Sequence, residues 1–283
     1  MAVRIVTDST ADLPADLAKA LDITVVPCNL HFGQETFRDG IDMDADGFYR
    51  RLVSEAQLPT TSQPSPAVFL EVYKGLADAG HQIVSVHISS ALSGTLNSAL
   101  QAKQQLEYKD LEVIDSRQVS LTLGLVVVAA ARAAKGGASL RDTTEVVHKA
   151  LGQVQLFAML DTLEYLRRGG RVGKVRGFVG SLLHVRPLIT VRDGIVQSAI
   201  SVRSRAAGIQ YMATMAEERA PLLQLAVMHS TASQEAEALA ERLCPLVNGG
   251  NVVHARIGPV IGTHVGPGAI GIAMQSEKIG EAS

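Results

Sequence analysis

Three segments of this chain carry side chains able to hold an anion or move an acyl group. The first is Thr61-Ser62-Gln63-Pro64-Ser65-Pro66, dense in hydroxyls and stiffened by two prolines that fix φ and remove two backbone donors. The second is Ser89-Ser90-Ala91-Leu92-Ser93-Gly94-Thr95, which follows a strand pattern and opens a helix pattern. The first N–H groups of a helix lack partners and carry partial positive charge, so such a turn is suited to an anion. The third is Gly262-Thr263-His264-Val265-Gly266-Pro267-Gly268, where glycines let the backbone approach another group closely. Each segment also has a plainer reading. Ser65 and Ser93 are good helix caps, and a lone histidine such as His264 is often structural. A second chemistry is acyl hydrolysis or acyl transfer, with Ser93 as nucleophile and His264 as base. Ser93 stands between Leu92 and Gly94, so the G-x-S-x-G elbow is absent.

Other motifs carry less. Gly266-Pro267-Gly268-Ala269-Ile270-Gly271 fits G-x-G-x-x-G, but a dinucleotide site needs a helix next and an acidic residue about twenty positions later. A strand pattern follows here and the sequence stops at residue 283. Asp42, Asp44 and Asp46 begin like a calcium loop, but Val53 stands where the bidentate Glu belongs. They read as acidic residues at a helix start. Gly169-Gly170-Arg171-Val172-Gly173-Lys174 has the wrong spacing for a phosphate loop and lacks the following Ser or Thr. Arg167, Arg168, Arg171, Lys174 and Arg176 form the densest basic cluster, either a solvated face or a partner site. This cluster is all that supports a regulatory or nucleic-acid role. The histidines show no metal-ligand spacing.

The elements that must position these residues alternate between strand and helix through residue 150. Strand patterns cover Val3–Val6, Ile23–Phe32, Gln82–Ile88 and Leu111–Ile114. Helix patterns cover Pro14–Leu21, Asp46–Ala56, Pro66–Ala79 and Thr95–Leu106, followed by two more separated by Gly136-Gly137. This alternation predicts a parallel sheet covered on both faces, with ligands at the carboxyl ends of the strands. Three strands end in hydroxyl-rich or acidic loops, which would then gather on one edge. The second half predicts mixed α/β structure. Asp193-Gly194 between apolar runs is a hairpin signal, and Val252–Ile257 and Ala269–Met274 read as strands around a glycine-rich loop. The fold class is α/β in two domains, an N-terminal one over residues 1–155 and a C-terminal one over 156–283.

The chain has 283 residues, 47% apolar but only 4% aromatic, with no Trp and a net charge of −2. That charge gives no general attraction to nucleic acid or anionic membrane. Cys28 and Cys244 are distant and form no CxxC, which fits a reducing cytoplasm. The first ten residues turn polar too soon for a signal peptide. The longest apolar stretch, Leu123–Ala131, is too short to span a bilayer and reads as a buried helix.

Taken in order, the motifs resemble the DegV family, which includes the fatty-acid-binding subunits of the bacterial fatty acid kinase system. The resemblance rests on Thr7-Asp-Ser-Thr-Ala-Asp-Leu-Pro14, Phe37-Arg-Asp-Gly40, Thr61-Ser-Gln-Pro-Ser65 and Ser89-Ser-Ala-Leu-Ser-Gly-Thr95. It continues through Ile114-Asp-Ser116, Leu163-Glu-Tyr-Leu-Arg-Arg-Gly-Gly-Arg171, Arg186-Pro187 and Gly262–Gly268. It implies an acyl chain in an apolar tunnel and no cofactor. It implies a carboxylate held by Thr61, Ser93 and His264, with Ser62, Gly94, Thr95, Arg171 and Gly268 as neighbours of the head group. It also implies that Arg203 contacts a separate kinase subunit and that this chain is a carrier, not the catalyst. Nucleic acid has no place in that role. Nor does a membrane span, although transient membrane contact to exchange lipid is compatible with it. The sequence departs from the family around Arg203, where Ser201-Val-Arg-Ser-Arg-Ala-Ala207 has fewer basic residues than usual, and at Arg186, where the family usually has Lys.

Overall fold

The structure, a computed structural model, describes residues 2–171 and 185–278. Strands β1 (Val3–Asp8) and β2 (Ile23–Val26) pair in parallel, with Ile5 opposite Ile23. With β6 (Gln82–His87) and β7 (Leu111–Asp115) they form a four-stranded parallel sheet in the order β2-β1-β6-β7. The loops after β1, β6 and β7 therefore lie side by side on one edge, as the alternation predicts.

The expected strand over Ile23–Phe32 is broken. Pro27 has no N–H for a ladder, and the N–H of Cys28 donates to Ser9 Oγ at 3.0 Å. The chain leaves the first sheet there and enters a three-stranded antiparallel sheet. Its strands are β3 (Asn29–Phe32), β4 (Glu35–Arg38) and β5 (Thr60–Ser62), in the order β4-β3-β5. The hydroxyl-rich segment at 61 is thus part strand, with Thr61 opposite Leu30. Only pairing with β3 produces this, since a three-residue strand has no period of its own.

The C-terminal half builds a six-stranded sheet from β8 (Val154–Met159), β9 (Arg186–Arg192), β10 (Ile195–Val202), β11 (Gln224–His229), β12 (Val252–Arg256) and β13 (Ile270–Gln275). The order is β10-β9-β8-β13-β11-β12, with only β11 and β12 parallel. The predicted hairpin is present. Asp193 and Gly194 both have positive φ, 52° and 78°, as a two-residue turn of this hand requires.

Helices fill the spaces between and around the sheets. α1 (Ala15–Ala20) packs on β2, and α2 (Ala45–Ser54) closes the small sheet. α3 (Pro66–Asp78) and α4 (Thr95–Leu106) cover one face of the parallel sheet, where Phe69, Tyr73 and Ala99 meet Val6, Ile83 and Leu111. α5 (Leu121–Lys135) lies between the parallel and the six-stranded sheets, backed by α6 (Leu140–Leu151). That double coverage explains why its middle is apolar all round. A Cβ on Gly124 would stand 2.8 Å from the Ala11 carbonyl oxygen, so a glycine lets α5 approach this closely. After α7 (Glu164–Arg168), α8 (Arg205–Arg219) and α9 (Ser233–Leu243) cover the outer face of the six-stranded sheet. The segment expected as a glycine-rich loop contains a helix, α10 (Pro259–Val265). Pro259 suits a first helical turn, and nearly every residue of the helix is buried. Packing outweighs the cost of Gly262, whose Cβ would sit 2.6 Å from the Tyr49 hydroxyl. Among the described residues, no helix is long and apolar enough to cross a membrane.

A buried polar chain runs through the parallel sheet. Tyr73 OH and Ser85 Oγ are 2.7 Å apart, Ser85 Oγ and His87 Nε2 2.7 Å, and His87 Nδ1 and Asp8 Oδ2 2.9 Å. Asp8 also accepts the N–H groups of Thr10 and Ile88 at 3.1 and 3.2 Å. The Ser-His-Asp order is that of a hydrolytic triad, but all four side chains are sealed in the core. Ser85 faces Tyr73 and not a cleft, so the chain serves to hold the loops after β1 and β6. Tyr73→Phe should cost about 1 kcal/mol, the net worth of one buried hydrogen bond, as read by denaturant unfolding. Ligand affinity should stay unchanged.

Candidate functional site

An apolar cavity lies between the carboxyl edge of the parallel sheet and one face of the six-stranded sheet. Its empty space, mouth and adjoining solvent included, is about 920 Å³. Alternation along the strands builds one wall. Leu156 and Ala158 on β8, Ile189 and Val191 on β9, Val196 on β10 and Met228 on β11 all point inward. Ile88, Leu92 and Val119 come from the loops of the parallel sheet.

The polar lining gathers Thr61, Ser62 and Gln63 from β5 and its end, Ser93 from the turn before α4, Arg171 after α7 and His264 on α10. Thr61 Oγ1 lies 3.3 Å from His264 Nε2. Ser93 is not the cap itself, because Gly94 holds that position and makes no side-chain bond. Instead Ser93 Oγ accepts the Thr95 N–H at 3.3 Å and lies 2.8 Å from Thr95 Oγ1. The first N–H groups of α4 and its dipole thus stand directly behind Ser93. Ser65, the other expected cap, makes no such bond to α3. The guanidinium of Arg171 donates to the carbonyls of Gly169 at 2.7 Å and Leu92 at 3.3 Å, and pairs with no described carboxylate. Among the described residues, its charge therefore faces this end of the cavity without a carboxylate partner.

Burial, and then the charge of Arg171, push His264 down to about 4. The ring is neutral at pH 7, with Nε2 toward Thr61 and Nδ1 buried without a partner among the described residues. A Cβ on Gly169 would stand 2.2 Å from that nitrogen. Gly169 is therefore a site residue that sequence reasoning missed. So is Gln63, whose amide packs over Gly94 where a Cβ would come within 2.9 Å. Thr10, Cys28 and Ser120 also reach the wall. A signal for Ser120 did not exist in the sequence, because its φ of 53° is imposed by tertiary contacts.

Not every expected residue joins the cavity. Gly94 and Thr95 stand just behind its wall. Gly268 is not among the lining residues, although the next residue, Ala269, is. With φ 77° it turns the chain from α10 into β13. Its carbonyl accepts from Arg205 at 2.8 Å, and its N–H donates to Thr231 Oγ1 at 2.9 Å. A Cβ there would strike Asp161. Arg203 is exposed in the bend between β10 and α8 and does not line the cavity. Of the basic cluster, Arg167 and Arg168 pair with Glu164 at 2.8 and 2.6 Å on the surface. Residues 172–176, which include Lys174, Arg176 and the rest of the phosphate-loop-like run, lie outside the described residues.

No hydrogen bond joins Ser93 to His264 among those described, and a histidine held near 4 is a weak base at neutral pH. The arrangement is suited to holding an anion at the end of an apolar cavity, not to activating Ser93.

Two carboxyl groups near the cavity are held in their protonated form well above the usual range. Asp12 is pushed up to about 8 and Asp39 to about 7, in both cases chiefly by burial. Between the ordinary value near 3.8 and these raised values, the folded chain holds protons that the unfolded chain has lost. Stability from these groups is complete below about pH 3.8, and is lost as pH rises toward 7 for Asp39 and 8 for Asp12. Asp12→Asn should flatten this slope and raise stability at pH 8 by roughly 1–3 kcal/mol, the scale of a buried polar penalty. Unfolding midpoints from pH 5 to 9 would check it.

Residues 2–277 match the family model described as "Uncharacterised protein, DegV family". The chain belongs to the DegV family. Solved structures of this family superpose over almost its full length. A DegV family protein from Thermus thermophilus, described by its fatty acid binding, is 31% identical, covers 98% of this chain and 100% of its own, and has a TM-score of 0.89. DegV from Bacillus subtilis, described as a fatty acid binding protein, is 31% identical with the same coverages and a TM-score of 0.88. A stearic acid-binding protein from Eubacterium ventriosum is 27% identical, covers 97% and 98%, and has a TM-score of 0.85.

Proposed function

We propose that this protein binds one long-chain fatty acid in the cavity and presents its carboxyl group to a separate ATP-dependent kinase, carrying the acid or the acyl phosphate. The observation that carries the reading is an apolar cavity whose polar lining is hydroxyls, a neutral imidazole and a guanidinium that pairs with no carboxylate among the described residues, beside the start of α4. Its similarity to structures described as binding fatty acids supports the same ligand.

Burying about fifteen methylenes at about 0.8 kcal/mol each supplies roughly 12 kcal/mol before association and ordering costs. Charge-assisted hydrogen bonds to the carboxylate add about 1.5–3 kcal/mol each. The tail dominates affinity, and the polar end fixes which way round the acid lies. Thr61 and Ser93 donate to the carboxylate, and His264 donates through Nε2 when its proton sits there. Arg171 and the α4 dipole supply positive potential without a buried ion pair. Arg203, exposed and not part of the cavity lining, is assigned to the partner kinase. In this reading the partner supplies the nucleotide site and the catalysis, and the chain works in the cytoplasm and feeds acyl groups toward phospholipid synthesis. Mass spectrometry of lipid extracted from purified protein should find one fatty acid per chain. Finding none, even after incubation with fatty acids, would overturn the reading. Transfer of ATP phosphate to the acid by the isolated chain would overturn the carrier role.

A further inference from the structure

His264 owes its position to α10, and α10 begins without a cap of its own. Gly258 at its N-cap has no side chain to offer. Two carboxyl groups from the N-terminal half reach it instead. Asp12 Oδ1 accepts the Gly258 N–H at 2.9 Å across 246 residues of sequence. The Asp39 carboxyl stands beside the same turn, next to Gly258. A Cβ on Gly258 would meet Asp12 Oδ1 at 3.1 Å and Asp39 Oδ1 at 3.5 Å, so the two carboxyls converge on the bare glycine. Each is itself fixed. Ser120 Oγ donates to Asp12 Oδ2 at 2.5 Å, and the Asp39 N–H donates to the Cys28 carbonyl at 2.9 Å. Ser120 and Cys28 are also on the wall of the acyl cavity.

We propose that Asp12 and Asp39 are positioning residues, a carboxyl clamp that holds α10 so that His264 meets Thr61 and the cavity distinguishes an acid from an uncharged head group. The role rests on the fatty-acid reading above. The clamp uses two motif residues, one from Thr7–Pro14 and one from Phe37–Gly40, that the cavity alone leaves without a task. Being neutral suits it, because two ionised carboxylates meeting at one glycine would repel. Burial favours the protonated form of both, pushing Asp12 up to about 8 and Asp39 up to about 7. The other groups facing them are Asp8 beside the same loop, Cys28 after β2, Asp44 and Tyr49 at α2, and His254 and Arg256 on β12. A second surface cavity bordered by both carboxyls leaves each slightly exposed, so protons can reach them from solvent.

The test uses delipidated full-length protein with Asp39→Leu and Asp39→Asn. One readout is the ratio of affinities for palmitic acid and its methyl ester at pH 6.5. The other is the titration of the His264 ring by NMR, which needs no ligand. Asp39→Leu should lose at least about tenfold of the acid preference, with His264 titrating closer to the ordinary histidine value. Asp39→Asn, which keeps the shape and the acceptor, should restore both. Asp39→Leu with the wild-type ratio and titration would overturn the clamp. If Asp39→Leu does not fold, wild type and Asp39→Asn are compared from pH 6 to 9. The wild-type ratio should fall more steeply, since ligand ionisation is common to both, and superposable profiles would overturn the proposal. A wild type that binds neither lipid but shows the His264 shift would remove the fatty-acid reading and leave the clamp standing.

Discussion

Thr61→Val with Ser93→Ala should weaken binding of a long-chain acid about a hundredfold or more and leave its methyl ester within about threefold. Each hydroxyl supplies one charge-assisted hydrogen bond, about 1.5–3 kcal/mol, and about 1.4 kcal/mol is tenfold in affinity. Two such bonds give a loss of roughly 3–6 kcal/mol if they act independently. They share one carboxylate, so the double variant should fall at the lower end. The substitutions keep shape. Val matches Thr in branching and β5 retains its pairing to β3, while Ala removes one oxygen from a turn whose backbone is set by Gly94 and α4. Titration calorimetry with acid and ester separates the outcomes. Equal losses for both ligands would mean that the cavity has collapsed, and no loss for the acid would put the head group elsewhere.

Filling the cavity should have opposite effects on ligand and fold. Ala269 is fully buried and lines the cavity. Ala269→Leu adds three carbons there, in the space of about three methylenes of the tail. At about 0.8 kcal/mol per methylene the acid loses roughly 2.4 kcal/mol, about sixtyfold in affinity. The ligand-free protein should keep or raise its unfolding midpoint, because the new side chain contacts atoms that otherwise face empty space. Acid and ester should lose alike here, in contrast to the hydroxyl variants. A lowered midpoint with unchanged affinity would mean that Ala269 faces packed core and not the ligand.

These two variants divide the site as the sequence does. The tail wall was legible only as strand patterns, since alternation shows that Ile189 and Val191 share a face but not what that face meets. The head group was legible as chemistry without geometry. Thr61, Ser93 and His264 each suited an anion site and each suited a bland role. Gly268 shows the limit, since Ala269 beside it lines the cavity and Gly268 instead turns the chain into β13. Gly169 shows the converse. Nothing about a glycine after a basic helix announces that a histidine ninety-five positions later needs its missing side chain.

Local physics determined several features from the sequence alone. The hairpin at Asp193-Gly194 follows from two residues that tolerate positive φ. The parallel sheet and its hydroxyl-rich edge follow from strand–helix alternation, and the buried α5 follows from an apolar run too short for a membrane. Tertiary structure decided the rest, because it depends on pairs far apart in the chain. The break at Pro27 became a change of sheet only when Ser9 took the Cys28 N–H. The start of the helix at 259–265 is held by Asp12, which accepts the Gly258 N–H from 246 residues away. Thr61 and His264 met across 203 residues, and the neutrality of that histidine comes from burial and the field of Arg171. Desolvation and Coulomb fields act through space, so no local pattern encodes them.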